Sequence, residues 1–428
     1  SSLSNLSENM KCNSDIRLQD LFMDNQEIGD LLIHSIWDET ERNIRLNGKL
    51  NVDDIQTFNF LGAYDIDKEH VNLSLDFDNT DISFVNTFVD PEVLNDMSGK
   101  VNGKLKLSGS VYEPELNGVL NLDNVRARLE LLGVYYSVDG PIEVKKDKIR
   151  MTALPLDDEE GNSSIANGTI NHQNFESWNF DIQVHFENDQ NDLRLSSLNK
   201  FLLLNTDYQE DESYYGKVYG LGSANISGHT NNLTIHLDLE TVKGTKINFP
   251  MYGVSEIEED FDFVSFVDTE MSEPIENDRT DLTGLDLDLN FKLTPAAEVK
   301  IIFNPENGDQ ISARGFGDLN MTLDQYNEIN LTGYYQIMGD SKYNFVMGII
   351  KQDFDIESGS LLTWTGNPYI ANIDLVTSFR MKKVSLVDLS PELSDNSLTN
   401  QDVICYLNLG ESLIKPEITF DIKSPNAP

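Results

Sequence analysis

Leu285-Asp286-Leu287-Asp288-Leu289-Asn290-Phe291-Lys292-Leu293 alternates apolar and polar side chains without a break. Successive side chains of an extended strand point to opposite faces. This stretch therefore has a dry face, carrying Leu285, Leu287, Leu289 and Phe291, and a wet one. The pattern recurs. Phe180, Ile182, Val184 and Phe186 are separated by Asp181, Gln183 and His185, and Val71, Leu73, Leu75 and Phe77 by Asn72, Ser74 and Asp76. Ile235, Leu237 and Leu239 enclose His236 and Asp238, Ile329 and Leu331 flank Asn330, and Ile418 and Phe420 flank Thr419. Leu116, Leu120 and Leu122 share a parity with Gly118. Strands buried on both faces read as continuous apolar runs instead. Most strands here are dry on one side only, and these apolar positions are the candidates for its lining.

Turn and repeat signals fit an all-β chain. Asn47-Gly48, Asn102-Gly103, Asn117-Gly118 and Asn167-Gly168 carry the dipeptide of tight hairpins and are read as turns, some of them fortuitous because Asn is common. A looser unit of glycine, alternating strand, turn and alternating strand recurs at 103–122, 222–239 and 317–333. Such degenerate repeats mark a quasi-one-dimensional sheet. Short helical turns are expected at Ile16 to Phe22, Ile28 to Ile36 and Ser196 to Leu204, the last behind a capping Ser. The acidic stretches Leu156 to Ser164 and Met271 to Asp281 read as surface loops. No sharp boundary appears. The expected organisation is one long curled sheet with few helices, in two continuous stretches, 1–195 and 196–428. With about 15 residues per strand and turn, the chain holds about 28 strands, or on the order of 130 Å of sheet. A flat open sheet of that size is unstable unless it curls into a trough or closes.

Composition excludes several functions. Lys and Arg number 31 and Asp and Glu 73 in 428 residues, a net charge of -42. That opposes binding to nucleic-acid phosphates and to anionic lipid surfaces. Hydrophobic residues make up 39% of the chain, too many for a disordered acidic tail. The charge reads first as a means of keeping a sheet with open edges soluble. A second reading is repulsion of anionic headgroups. Cys12 and Cys405 are too few for a disulfide scaffold or a thiolate zinc site, and whether they pair is open. No apolar run is long enough to cross a membrane as a helix, and no signal peptide opens the chain. The start at Ser1-Ser2-Leu3-Ser4 reads as mid-polypeptide, so a fragment is expected.

Catalytic chemistry is not in view. His185 and His236 sit at wet positions of alternating strands, and neither H-E-x-x-H nor G-x-S-x-G occurs. Asp286 and Asp288 share a strand face that reads as solvated acid rather than a cation site. Asp65-Ile66-Asp67 and Asp260-Phe261-Asp262 lack the glycine and closing glutamate of a calcium loop. Gly315-Phe316-Gly317 reads as a strand bend. Tyr214, Tyr215, Tyr334, Tyr335 and Tyr369 read as packing residues rather than sugar platforms. No enzyme activity, metal or cofactor is expected. The apolar rows, however, must go somewhere. Either they meet as a core, or they stay apart as a groove that needs a ligand. An acyl chain of roughly 16 carbons gains about 13 kcal/mol on leaving water at ~0.8 kcal/mol per methylene, enough to load such a groove. A lining of uniform character lets the chain slide.

The second half carries a family resemblance. Ser197-Leu198-Asn199-Lys200-Phe201-Leu202-Leu203-Leu204-Asn205-Thr206, Tyr214 to Gly222 and Lys243-Gly244-Thr245-Lys246-Ile247 resemble the TamB C-terminal domain of the AsmA-like superfamily. So do Leu293-Thr294-Pro295 with Val299 to Phe303, Gly308 to Gly317, Phe354 to Ser360, Trp364 to Tyr369 and Ile414 to Ile422. The resemblance covers about 196 to 422, and its texture is similar to the Bacteroidetes type. It implies a β-taco, a long curled sheet with an apolar groove spanning the periplasm. It implies that phospholipids move along this groove toward the outer membrane. An alternative role is a scaffold for outer-membrane barrel assembly or secretion. It further implies a TamA-type outer-membrane barrel as partner and an inner-membrane anchor beyond these residues. A third possibility, a closed β-helix cleaving polysaccharide, needs a cluster of ionisable residues that the sequence does not display.

Overall fold

Alternation is realised as strands almost everywhere. The computed structural model describes residues 13–23, 26–52, 55–89, 91, 93–173, 176–189, 195–209, 214–251, 284–305, 307–323, 329–347, 350–368, 370–385, 401–413 and 415–424. Among these, twenty-six strands belong to one mixed sheet, and the helical content is the 3-10 turns Ser83–Phe88, Glu130–Leu132 and Leu195–Ser197. The all-β expectation holds. The loop at Met271 to Asp281, the 260–262 triplet, Tyr369 and Cys12 lie outside the described residues. The chain divides into two compact units, residues 1–202 with 223–233, and residues 203–222 with 234–428.

The first unit is an antiparallel meander. Its strands are β1 (Asn13–Met23), β2 (Gln26–Asp38), β3 (Asn43–Val52), β4 (Ile55–Asp65), β5 (His70–Asp81), β6 (Leu94–Ser110), β7 (Glu113–Leu129), β8 (Val134–Lys145), β9 (Lys148–Asp158), β10 (Ser163–Gln173) and β11 (Glu176–Phe186). Each pairs with the next. The helical turns expected at Ile16 to Phe22 and Ile28 to Ile36 are β1 and β2 instead. Their residues pair directly, Ile16 with Ile33 and Leu18 with Leu31, and an inter-strand ladder satisfies the backbone better than isolated short helices can. A register shift beyond Leu18 absorbs the break in alternation.

All four Asn-Gly dipeptides lie inside strands, in β3, β6, β7 and β10, rather than in turns. The reason is close approach between backbones. Gly103 has φ +145° and Gly168 φ +147°, and a Cβ there would sit 2.4 Å from the Val119 carbonyl oxygen or 2.2 Å from that of Asp181. Only glycine lets the strand coil so tightly against its neighbour.

The second unit branches. Its strands are β12 (Phe201–Thr206, which begins in the first unit), β13 (Tyr215–His229, shared with the first unit), β14 (Asn232–Thr241, which begins in the first unit), β15 (Lys246–Pro250), β16 (Leu285–Leu293), β17 (Glu298–Asn304), β18 (Asp309–Ala313), β19 (Gly315–Leu323) and β20 (Ile329–Ile337). They continue as β21 (Ser341–Met347), β22 (Ile350–Ile356), β23 (Leu361–Gly366), β24 (Ala371–Val384), β25 (Gln401–Ser412) and β26 (Pro416–Lys423). One wall runs β13-β15-β17-β18-β21-β22, with β15 and β17 parallel. The other runs β14-β16-β19-β20-β23. Both walls end on β24, β22 pairing with Thr377 and Ser378 and β23 with Ala371 to Asp374. β25 and β26 follow as neighbours.

The helix expected at Ser196 to Leu204 is a single 3-10 turn followed by β12. Phe201, Leu202 and Leu204 are all buried. The run has no alternation because both of its faces are covered. The acidic stretch Leu156 to Ser164 is a loop only at 159–162. Asp158 and Ser164 are buried within β9 and β10, contrary to the expectation of a surface loop throughout.

Candidate functional site

In the first unit the pairing registers stack apolar side chains into rows that run across the strands. One row is Ile16, Ile33, Gly48, Phe60, Leu75, Leu105, Gly118, Val144, Ile149, Ile170 and Phe180, one residue from each of β1 to β11. A second row joins Phe77, Gly103, Leu120, Ile142, Met151, Gly168 and Ile182. Leu18, Leu31, Leu50 and Phe58 form its counterpart on β1 to β4, and the Phe58 ring lies 5.3 Å from Phe77. Neither row contains a charged side chain. Phe60, Leu105 and Val144 are buried, but most of the others are half-buried, and Ile16 remains 42% exposed. The rows are thus covered only in part.

Charge lies on the alternate residues. Lys104 pairs with Asp76 across β6 and β5 at 2.8 Å, and Lys146 with Glu115 at 2.7 Å.

At one end of these strands the rows meet a packed segment. The Phe201 ring stacks between Tyr136 and Phe186, with centroids 5.8 and 5.5 Å away. The Tyr136 hydroxyl donates to the Leu202 carbonyl at 3.0 Å. The Leu202 N–H donates to the buried Asp158 carboxylate at 2.8 Å, and the backbone N–H groups of Glu160 and Asn162 donate to the same carboxylate. The Asn188 side chain donates to the Leu198 carbonyl. Burial, helped by the nearby Asp158 charge, pushes the Tyr136 phenol well above its ordinary pKa. Residues 195–202 are therefore a fixed plug of the first unit. Neither the plug nor Asp158 was anticipated. The unbroken apolar run Phe201 to Leu204 was the available signal.

In the second unit the two walls meet. Phe249, Ile301, Ile311, Tyr343 and Phe354 form a row on one wall, and Leu293, Gly317, Tyr335, Leu362 and Ile373 a row on the other. Apart from the glycine, all belong to or pack against one hydrophobic cluster, which also holds Leu375, Leu407 and Leu409. Tyr335 is held within it, where burial raises its pKa, and its hydroxyl has no hydrogen-bond partner.

The candidates divide accordingly. Val71, Leu73, Leu75, Phe77, Phe180, Ile182 and Val184 are half-buried in the first unit, and Phe186 is sealed beneath the plug. Ile235, Leu237, Leu285, Leu287, Leu289, Phe291 and Leu331 are half-buried in the second unit, Leu239 is buried and Ile329 is exposed. Ile418 and Phe420 are exposed on β26, the latter by 55%. The wet face of the β14-β16-β19 wall carries a polar ladder. His236 bonds to Asp288 at 3.0 Å and Asp238 at 3.2 Å, and the Asn320 amide donates to Asp288 and Asn290 at 2.8 Å. Asp288 is thereby engaged by neutral and basic neighbours. For His236, burial acts to lower the pKa, but the hydrogen bonds and charges of Asp288 and Asp238 outweigh it, and the pKa stands above its usual value.

Comparison with protein families matches residues 152–428 to the TamB C-terminal domain, from within β9 onward. None of the curated proteins matches the chain.

Proposed function

From the premise that the chain belongs to the TamB family, whose members act in outer-membrane assembly and lipid transport in the cell envelope, we propose that its half-buried rows bind phospholipid acyl chains and pass them toward the outer membrane. The protein works in the periplasm and without catalysis. One observation carries the reading: an eleven-strand row with no charged side chain and only partial cover. Ten strand spacings of ~4.8 Å give about 48 Å of apolar path. Each methylene moved onto it gains ~0.8 kcal/mol, and the gain is nearly equal at neighbouring positions. A chain held this way is retained against water yet free to slide. Native mass spectrometry of the purified protein is expected to show bound phospholipid. Leu75→Arg, which places a guanidinium in the row, is expected to abolish that binding while the sheet still folds. Protein that carries and accepts no phospholipid overturns the reading.

A second reading draws on β26. It pairs with β25, and Ile418, Phe420 and Ile422 are exposed along it. A strand of this kind suits β-augmentation by a partner strand, such as one from a TamA-type barrel. Crosslinks from β26 to an outer-membrane barrel protein, in place of lipid on the rows, favour this role.

A further inference from the structure

We propose that acyl chains are excluded from the closed cluster that β17, β18, β21, β22, β24 and β25 build with Tyr335 and Ile337 of β20 and Leu362 of β23, that this cluster acts as an end-stop, and that the apolar path on the β14-β16-β19-β20 wall ends at Gly333. The inference rests on the acyl-chain reading above and specifies where the path terminates.

Strand β20 records the boundary. Ile329 is 47% exposed and Leu331 is half-buried, but Tyr335 and Ile337, on the far side of Gly333, are 3% and 1% exposed. The change occurs along one face of one strand, so it reflects what lies opposite and not a change in residue type. Beyond Gly333 the opposite wall closes down. Ile311, Tyr343 and Phe354 come from that wall, Leu362 from this one and Ile373 from the shared strand β24, into a single cluster.

The closure is also built into the hydrogen bonding. β24 pairs with β22 through Thr377 and with β23 through Ala371 to Asp374. Two walls that share a strand cannot part there without breaking one ladder. Entry of a chain would in addition displace side chains packed at interior density, in contrast to the half-covered rows. A lipid that reaches this wall therefore leaves sideways, past Leu331 and Ile329, and does not travel on through the molecule.

Tryptophan emission provides the test. Trp37 lies in the first unit, paired with Ile44 on the row that runs through Tyr64 to Val71. Trp364 pairs with Gly333 at the boundary itself, so the two sides of the boundary are read by Leu331→Trp on the path and Phe354→Trp inside the closed cluster. In chains keeping one tryptophan at position 37, 331 or 354, the others replaced by Phe and the fold verified by circular dichroism, emission is measured with phosphatidylcholine brominated along its acyl chains. The expected result is loss of emission at 37 and 331 and unchanged emission at 354. Loss at 354 as well overturns the end-stop while leaving acyl-chain binding intact. Loss at 37 alone overturns the path on the β20 wall and its end at Gly333 while leaving acyl-chain binding intact. Loss at none of the three overturns the acyl-chain reading and the end-stop with it.

Discussion

Leu375→Ala and Leu73→Ala, compared in one background, measure how open the rows are. Leu375 lies on β24, where both walls end, and has no exposed surface. Leu73 sits on β5 in the row Leu46, Gly62, Leu73 and Leu107, and is half-buried. Truncating a sealed leucine forfeits its transfer free energy and leaves a cavity, together about 3–5 kcal/mol. Truncating a half-covered one forfeits about half of the ~1.5–3 kcal/mol that full burial supplies, so roughly 1 kcal/mol, and water can reach the gap. The difference of about 2–4 kcal/mol exceeds a tenfold change in the unfolding constant. Urea unfolding followed by tryptophan emission resolves it, because Trp37 and Trp178 report on the first unit and Trp364 on the second. Linear extrapolation of each transition yields the two values. Equal losses for the two variants would refute the distinction between half-covered rows and a closed cluster.

Two further outcomes follow from local geometry. Gly168→Ala forces a Cβ to within 2.2 Å of the Asp181 carbonyl oxygen at φ +147°, and is expected to destabilise the first unit by more than ~1 kcal/mol, whereas Gly410→Ala, with nothing within 4 Å, is expected to be near neutral; thermal unfolding of both compares them. His236 has a folded-state pKa above its unfolded value, so its stabilising contribution is complete below about pH 6.5 and is lost as pH rises through the raised value. The stability advantage of the native protein over His236→Gln should therefore shrink as pH rises above about 6.5, and an advantage that grows with rising pH contradicts the role assigned to Asp288 and Asp238.

Period-two alternation was enough to place β5, β11, β14, β16, β20 and β26, because each has one covered and one wet face. It failed where both faces are covered. Phe201 to Leu204 resembled a short helix because nothing local reveals that Tyr136 and Asp158, far back in the chain, supply its backbone partners. The Asn-Gly dipeptides misled for a related reason. Turn statistics describe a chain bending on itself, whereas Gly103 and Gly168 are required by the nearness of another strand. The rows were visible as parities on single strands, but their assembly depends on register, which bulges such as those beyond Leu18 and Phe77 reset. Closure of the second unit could not be read at all. Leu289 and Leu375 are both alternating leucines, and only the partner wall decides that one is half-covered and the other sealed.

The shared strand β24 has a consequence for biosynthesis. Every other strand of both walls precedes it in sequence, so during synthesis the walls emerge before the element that joins them. Until residues 371–378 appear, two unfinished ladder edges and their greasy interior faces stand open together, the kind of transient surface that invites misassembly. A nascent chain stalled just short of that point is the form of this protein most in need of a holdase.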